Sequence, residues 1–355
     1  MQKHFNIFIR NSDAGLYLEY FLISAVASIL FIRLFLALTG YPQIGGDTLH
    51  IAHMLWGGLL MLVSIYFLLA FLGRRIERIG AVIGGIGFGT FIDEVGKFIT
   101  QDNNYFYQPV IALIYVFFIL IVMGVRTVHV GKKFREQEFL MNALRELEEI
   151  ARNDLDIHER NKAYYLLERS NRTDQFTRYL KMALDESALV APRSPGVYTR
   201  FKDTAQKYYQ KIVDLPVFSV FIIFFFIFQL VINISYIVIF IFFWGLGWEQ
   251  ITNLTFFQRF FIRLQELSFI GWAELISSFI SGIFILAGIW LLPKSKLGSY
   301  RMFERSILIT IYLTQVFRFY QNELGALAGL VYNLLLFIGL RFLINRETQR
   351  LHHSG

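Results

Sequence analysis

Eight stretches of this chain are apolar for about the 17 to 25 residues that a helix needs to cross the hydrocarbon core of a bilayer. They are residues 16–38, 50–73, 79–100, 105–125, 217–244, 269–292, 302–320 and 324–343, the seventh being the shortest. Lipid offers no partner to a backbone N–H or C=O, so such stretches must satisfy themselves as helices. Of 355 residues, 55% are hydrophobic and 38 are Phe, more apolar material than a soluble domain of this length can hide. The expected fold class is therefore all-α, a polytopic membrane helix bundle. The first stretch is longer than a signal-peptide core and lacks a small-x-small cleavage site, which predicts an uncleaved first span. Cysteine is absent, which removes disulfides, thiolate metal sites and cysteine nucleophiles.

The net charge is +7, and its placement matters more than its size. Basic residues concentrate in alternate connections: Lys3 and Arg10, then Arg74, Arg75 and Arg78, then Arg126 onward, Lys294 to Arg305, and Arg341 to Arg350. The other short loops, 40–49, 101–104 and 321–323, hold no Lys or Arg. By the positive-inside rule both termini are expected in the cytoplasm, in a cell membrane (plasma or inner), with the bilayer as partner and no nucleic acid.

The chain also repeats itself. The gap from His53 to Lys97 equals that from Glu274 to Arg318, and each stretch ends in a Val-x-basic-Phe step, Val95 to Phe98 and Val316 to Phe319. In that register Glu94 falls opposite Gln315, and Tyr115 matches Tyr332 once four residues are removed. The expectation is two tandem four-span repeats, residues 1–130 and 216–355, with pseudo-equivalent halves. The first copy kept ionisable residues that the second lost.

Between the repeats, residues 131–215 form a polar insertion with apolar residues at helical spacing. Phe139, Leu140, Leu144, Leu147 and Ile150 make one face, Asp156 and Glu159 spell a capping box, a third helix is expected near 173–184, and a fourth passes Tyr208 and Tyr209 into the membrane. This predicts a small cytoplasmic helical domain, a solvated bundle or a module for a protein partner. A second expected amphipathic helix, near 253–266, lies in the outer interface with Phe256, Phe257, Phe260 and Phe261 towards lipid.

Topology decides which polar residues can meet. The second span enters from outside through Asp47, His50 and His53, and the third leaves through Asp93, Glu94 and Lys97, followed by Asn103 and Asn104. At about 1.5 Å per residue, Glu94 is about 10 Å below the outer helix end and His53 about half that. Glycines at 57 and 58 and at 80, 84, 85, 87 and 89 let these helices approach closely, a packing feature common in membrane helices. His50 and His53, at i and i+3 with Asp47 a turn earlier, have the spacing of divalent-metal ligands, with Asp93 or Glu94 to complete the shell; two histidines at a helix end also serve as interfacial hydrogen-bonders. Asp93 or Glu94 can pair with Lys97 one turn on, and two carboxylates against one lysine leave a negative charge for a proton, an imidazolium, a metal or a transported ion. In the second half, Glu274 and Arg318 can pair with each other or close the site from the opposite side.

Asp47-x-x-His50 opening one span and a Gly-rich span ending in Phe91-Ile-Asp-Glu94 resemble the small multi-pass proteins similar to the teicoplanin-resistance membrane protein. The resemblance covers part of the first half and implies Asp47, His50 and Glu94 as functional positions. Lys97, the Asn103-Asn104 step, the insertion and the second half depart from it.

Three functions follow. A transporter or ligand-binding membrane protein would use the polar cluster for an ion, lipid or lipid-linked ligand, with Glu94, Asp93 and Lys97 at its centre and Asp47, Asn103, Asn104, Glu274 and Arg318 around it. A membrane enzyme would use His50, His53 and Glu94 as metal ligands or as acid and base, with Lys97 or Arg318 holding a phosphate. A sensor or assembly factor would bind a ligand outside and report it through the insertion.

Overall fold

The computed structural model describes residues 8–40, 53–95, 109–129, 134–192, 196–245 and 268–353. The described residues are helical apart from turns, connections and one isolated bridge between Asp156 and Val190. They fall into two units: residues 1–107 with 117–195, and residues 108–116 with 196–355.

In the first unit, α1 (Ala14–Thr39), α2 (His53–Ala70) and α3 (Arg74–Asp93) pack together, with α3 lying along both of the others. Glycine makes this possible. A Cβ on Gly57 would stand 2.5 Å from the backbone nitrogen of Phe91, and one on Gly89 would stand 2.3 Å from the carbonyl oxygen of Ala25. Backbones this close bring polar groups within reach, so Ser64 Oγ donates to the Gly80 carbonyl at 2.7 Å and the hydroxyls of Ser28 and Thr90 lie 2.9 Å apart.

The join between α2 and α3 differs from the expected basic loop. Gly73 has φ +105°, a conformation that side chains disfavour, and turns the chain so sharply that α3 starts at Arg74. Arg74, Arg75 and Arg78 therefore stand on the first turns of a helix. The Leu72 carbonyl accepts from Arg152 Nη2 at 2.7 Å, which fixes the turn from the side of the insertion.

Helix α4 (Pro109–His129) is divided between the units at residue 117. The insertion continues the first unit with α5 (Glu136–Ala151), α6 (Ile157–Arg169) and α7 (Gln175–Glu186). The capping box is present: Asp156 accepts from the amides of His158 and Glu159, and Glu159 Oε2 accepts from the Asp156 amide at 3.1 Å. Leu140, Ala143, Leu155, Ala163, Leu166, Leu167 and Leu184 form its core, with Phe139, Leu147 and Ile150 against it.

The second unit begins with α8 (Val197–Val213) and α9 (Pro216–Gly245), with an 83° bend between residues 198–213 and 217–231. Pro216 opens α9, where a missing N–H costs nothing, and keeps Leu215 from continuing α8. Then follow α10 (Phe269–Leu291), α11 (Lys296–Ile309), a π-turn at Thr310–Thr314, α12 (Gln315–Asn322), a short turn of helix at Glu323–Ala326 and α13 (Leu327–His353). Glu323 takes φ +48°, and α11 packs on α13, so this run doubles back on itself. Phe226 and Phe303 stack at 4.3 Å in its core, and Ser281 Oγ meets Ser306 Oγ at 2.7 Å.

Among the described residues, four helical stretches are long and apolar enough to cross a membrane: 14–39, 53–70, 269–291 and the run 296–351; the bent pair makes a fifth. This is a helical protein with the character of a membrane protein. The stretch expected at 105–125 yields a shorter apolar helix, Pro109–Gly124, and the interfacial helix expected near 253–266 lies outside the described residues.

Candidate functional site

Asp93 is the last residue of α3 and Glu94 is its C-cap, and neither exposes any surface. Two carboxylates at the negative end of a helix dipole are disfavoured, by about 0.3 to 1 kcal/mol each even at a surface, and burial adds to that cost. The neighbouring helices answer them. Arg33, two turns before the end of α1, donates from Nε to Asp93 Oδ1 at 2.6 Å. The Met54 amide, in the first turn of α2, donates to Glu94 Oε2 at 2.8 Å, which places an anion at the positive end of that helix.

His53 stands between the two acids. Its Nε2 lies 3.6 Å from Asp93 Oδ2 and its Nδ1 lies 3.2 Å from Glu94 Oε2. A neutral imidazole has one N–H donor and one lone pair, whereas an imidazolium donates from both nitrogens.

The expected convergence of an imidazole with carboxylates from the next helix is therefore seen for His53, Asp93 and Glu94. Asp47, His50, Lys97, Asn103 and Asn104 lie outside the described residues. Arg33 was not among the expected residues. Its signal was plain: it is the one Lys or Arg in the apolar stretch 16–38, and an arginine there marks an internal partner.

In the second unit, Glu274 on α10 accepts from Arg318 Nε on α12 at 3.1 Å, so the two pair with each other. Gln315, the counterpart of Glu94, is fully buried and donates from Nε2 to the Ala326 carbonyl at 2.6 Å. Among the described residues, no three His, Asp or Glu side chains are arranged to hold a metal ion.

No protein-family model, curated protein or solved structure matches the chain.

The other end of α3 carries a second charged cluster, which joins the insertion to the helices. Arg74 pairs with Glu146 of α5 and with Asp13 Oδ2 at 3.4 Å, and Lys162 of α6 reaches Asp13 at 2.7 Å and Glu146 at 2.8 Å. Glu146 is fully buried. Alongside, Arg10 Nη2 donates to Glu138 Oε2 at 2.6 Å, Asn142 Oδ1 accepts from the Ser12 amide at 2.8 Å, and Arg145 Nη2 donates to Glu77 Oε2 at 2.6 Å. The hydrogen bond from Arg10 pulls the Glu138 carboxyl down to about 2. Burial raises Asp13, but the hydrogen bond from Lys162 and the charges of Lys162, Arg74 and Arg145 outweigh it and leave Asp13 below its ordinary value.

Proposed function

We propose that this chain is a multi-pass membrane protein that binds and carries a small ion or ligand through a proton-exchanging site formed by His53, Asp93 and Glu94 and held by Arg33. The observation that carries this reading is the His53 ring, 3.2 Å and 3.6 Å from two buried carboxylates of another helix. A proton gained or lost by any of the three changes the charge of the group by one, which is the property that lets an ion or charged ligand exchange against a proton.

The proposal includes eight crossings in two tandem four-span repeats, both termini in the cytoplasm and the site under the outer face. Two parallels support the duplication. A serine in each unit bonds a carbonyl of the following helix, Ser64 to Gly80 and Ser281 to Ser306, and His53 and its counterpart Glu274 each meet an ionisable side chain further along the unit, Glu94 and Arg318. The doubling back at Glu323 supports two crossings within 296–353. The resemblance to teicoplanin-resistance-type membrane proteins would add Asp47 and His50 to the site.

The test uses the purified full chain in vesicles loaded with a pH-sensitive dye, challenged with a proton gradient and with Na⁺, K⁺, Mg²⁺ and Mn²⁺ in turn. Cation-dependent proton flux that disappears in Glu94→Gln and His53→Ala is the expected result. Flux no greater than in empty vesicles, with no cation retained by the protein, would overturn it. Stoichiometric bound metal lost in His50→Ala and His53→Ala would turn the assignment to a metal-dependent enzyme.

A second reading, a sensor, draws on one specific observation. Helix α3 carries Asp93 and Glu94 at one end and Arg74, bound to the insertion through Glu146, at the other. Its 20 residues make a rod of about 30 Å between an outer site and an inner domain.

A further inference from the structure

A cavity of about 700 Å³ opens where the start of α3 meets the insertion. Some of its charged lining is already engaged: Arg74 is held by Asp13 and Glu146, and Asp156 caps α6. Three groups are not. Arg75 and Arg78, both exposed, and Glu149, only 6% exposed, line the cavity and have no hydrogen-bond or ion-pair partner among the described residues.

Each leftover group has a chemistry. Arg75 and Arg78 are three apart on one helix and share a face, so two guanidiniums can take the oxygens of one phosphate. Glu149 is a carboxylate removed from most water and set against a cavity, where it calls for a donor with positive charge. Glu159 lines the same cavity; burial pushes its carboxyl up, the charges of Asp156 and Glu149 push the same way, and the hydrogen bond from the Asp156 amide and the charge of Arg74 offset only part of this.

The surroundings are those of a lipid. Leu69, near the end of α2, and Leu72, in the turn that leads to Arg74, are 82% and 87% exposed. On α3 the exposed stripe runs from Arg75 and Arg78 to Ile79 and Ile86, basic at the helix start and apolar beyond it. That order fits a headgroup above and acyl chains below.

We propose that this cavity binds a phosphate ester carrying a primary ammonium group, with the phosphate on Arg75 and Arg78 and the ammonium on Glu149. The headgroup of an ethanolamine phospholipid has this chemistry, and so does free phosphoethanolamine. The experiment titrates the purified full chain in detergent with phosphatidylethanolamine, phosphatidylglycerol and phosphatidylcholine, counting retained ligand by native mass spectrometry. Phosphatidylethanolamine is retained over the other two, since glycerol lacks the charge and choline lacks the N–H donors. The double variant Arg75→Ala, Arg78→Ala lowers retention by about tenfold or more, the loss expected of charge-assisted contacts. Glu149→Gln removes the preference for ethanolamine over glycerol. Displacement of the lipid by phosphoethanolamine identifies the soluble ester as sufficient, and failure to displace it identifies the lipid. Equal retention of all three lipids, or unchanged retention in the arginine variant, overturns the proposal. Arg75 and Arg78 are exposed, so the arginine arm decides the matter even where Glu149→Gln fails to fold.

Discussion

Arg33 on the first helix and Asp93 at the end of the third are joined by a 2.6 Å bond from Nε to Oδ1, and the Asp93 side chain is fully buried. The pair ties α1 to α3 at the level where His53 and Glu94 meet. Removing the arginine alone takes the 2.6 Å donor from a buried carboxylate.

Arg33→Leu is therefore expected to cost about 3 to 5 kcal/mol, the range for breaking one side of a buried pair. Adding Asp93→Asn should restore much of that loss, because the buried charge that Arg33 answered goes with it. Unfolding midpoints of the purified single and double variants give the comparison. A single variant as stable as the parent chain would show that Asp93 does not depend on Arg33.

Two glycines should behave in opposite ways. A side chain at Gly89 would strike the Ala25 carbonyl, since its Cβ would stand 2.3 Å away, whereas a Cβ at Gly58 meets nothing within 4 Å. Gly89→Val is expected to push α1 from α3, lowering the unfolding midpoint and abolishing any proton flux that depends on Glu94. Gly58→Ala should leave function unchanged and stabilise α2 by up to about 1 kcal/mol through helix propensity. Equal effects of the two would refute the close approach.

The apolar runs and their lengths made the helices legible, and the i, i+3 pattern made the core of the insertion legible, down to Leu140 and the cap at Asp156. What the pattern could not show is the role of the opposite face of α5. Glu138, Asn142, Glu146 and Glu149 recur at helical spacing and look like a solvated stripe, yet all four are buried. The first three are met by Arg10, Ser12 and Arg74, residues far away in sequence, and the two arginines look like ordinary positive-inside markers. Helical periodicity reports a face, and only the partner decides whether that face meets water. At the other end, His53, Asp93 and Glu94 were visible because polar residues are costly in apolar runs, and Arg33 belonged to the same class of signal.

The bond from Arg10 makes the insertion acid-sensitive in a defined window. Glu138 has an ordinary value of 4.5 and is drawn down to about 2, so its contribution to stability is fully present above about pH 4.5 and is lost as pH falls towards 2. Thermal unfolding of the parent chain and of Glu138→Gln should differ by a constant amount from neutral pH to about 4.5, and the difference should close below that. A gap that persists at pH 2 would mean that the charge of Glu138 is not what holds Arg10.

Glu146 offers the sharpest test of whether the two ends of α3 communicate. It is fully buried between Arg74 and Lys162, so Glu146→Leu would leave Arg74 facing an apolar wall, with only the 3.4 Å contact to Asp13. A loss of about 3 kcal/mol or more is expected, together with faster amide hydrogen exchange across 134–192, because the insertion loses its anchor on α3. His53→Ala lies at the far end of the same helix bundle and removes no contact of the insertion. If α3 moves as a rod when the His53 site changes charge, His53→Ala should also alter exchange in 134–192, and this effect should vanish in the Glu146→Leu background, where the rod is uncoupled. If His53→Ala leaves exchange in the insertion untouched while abolishing proton flux, the two clusters act independently: the His53 site carries the function, and the Arg74 cluster only fastens a domain.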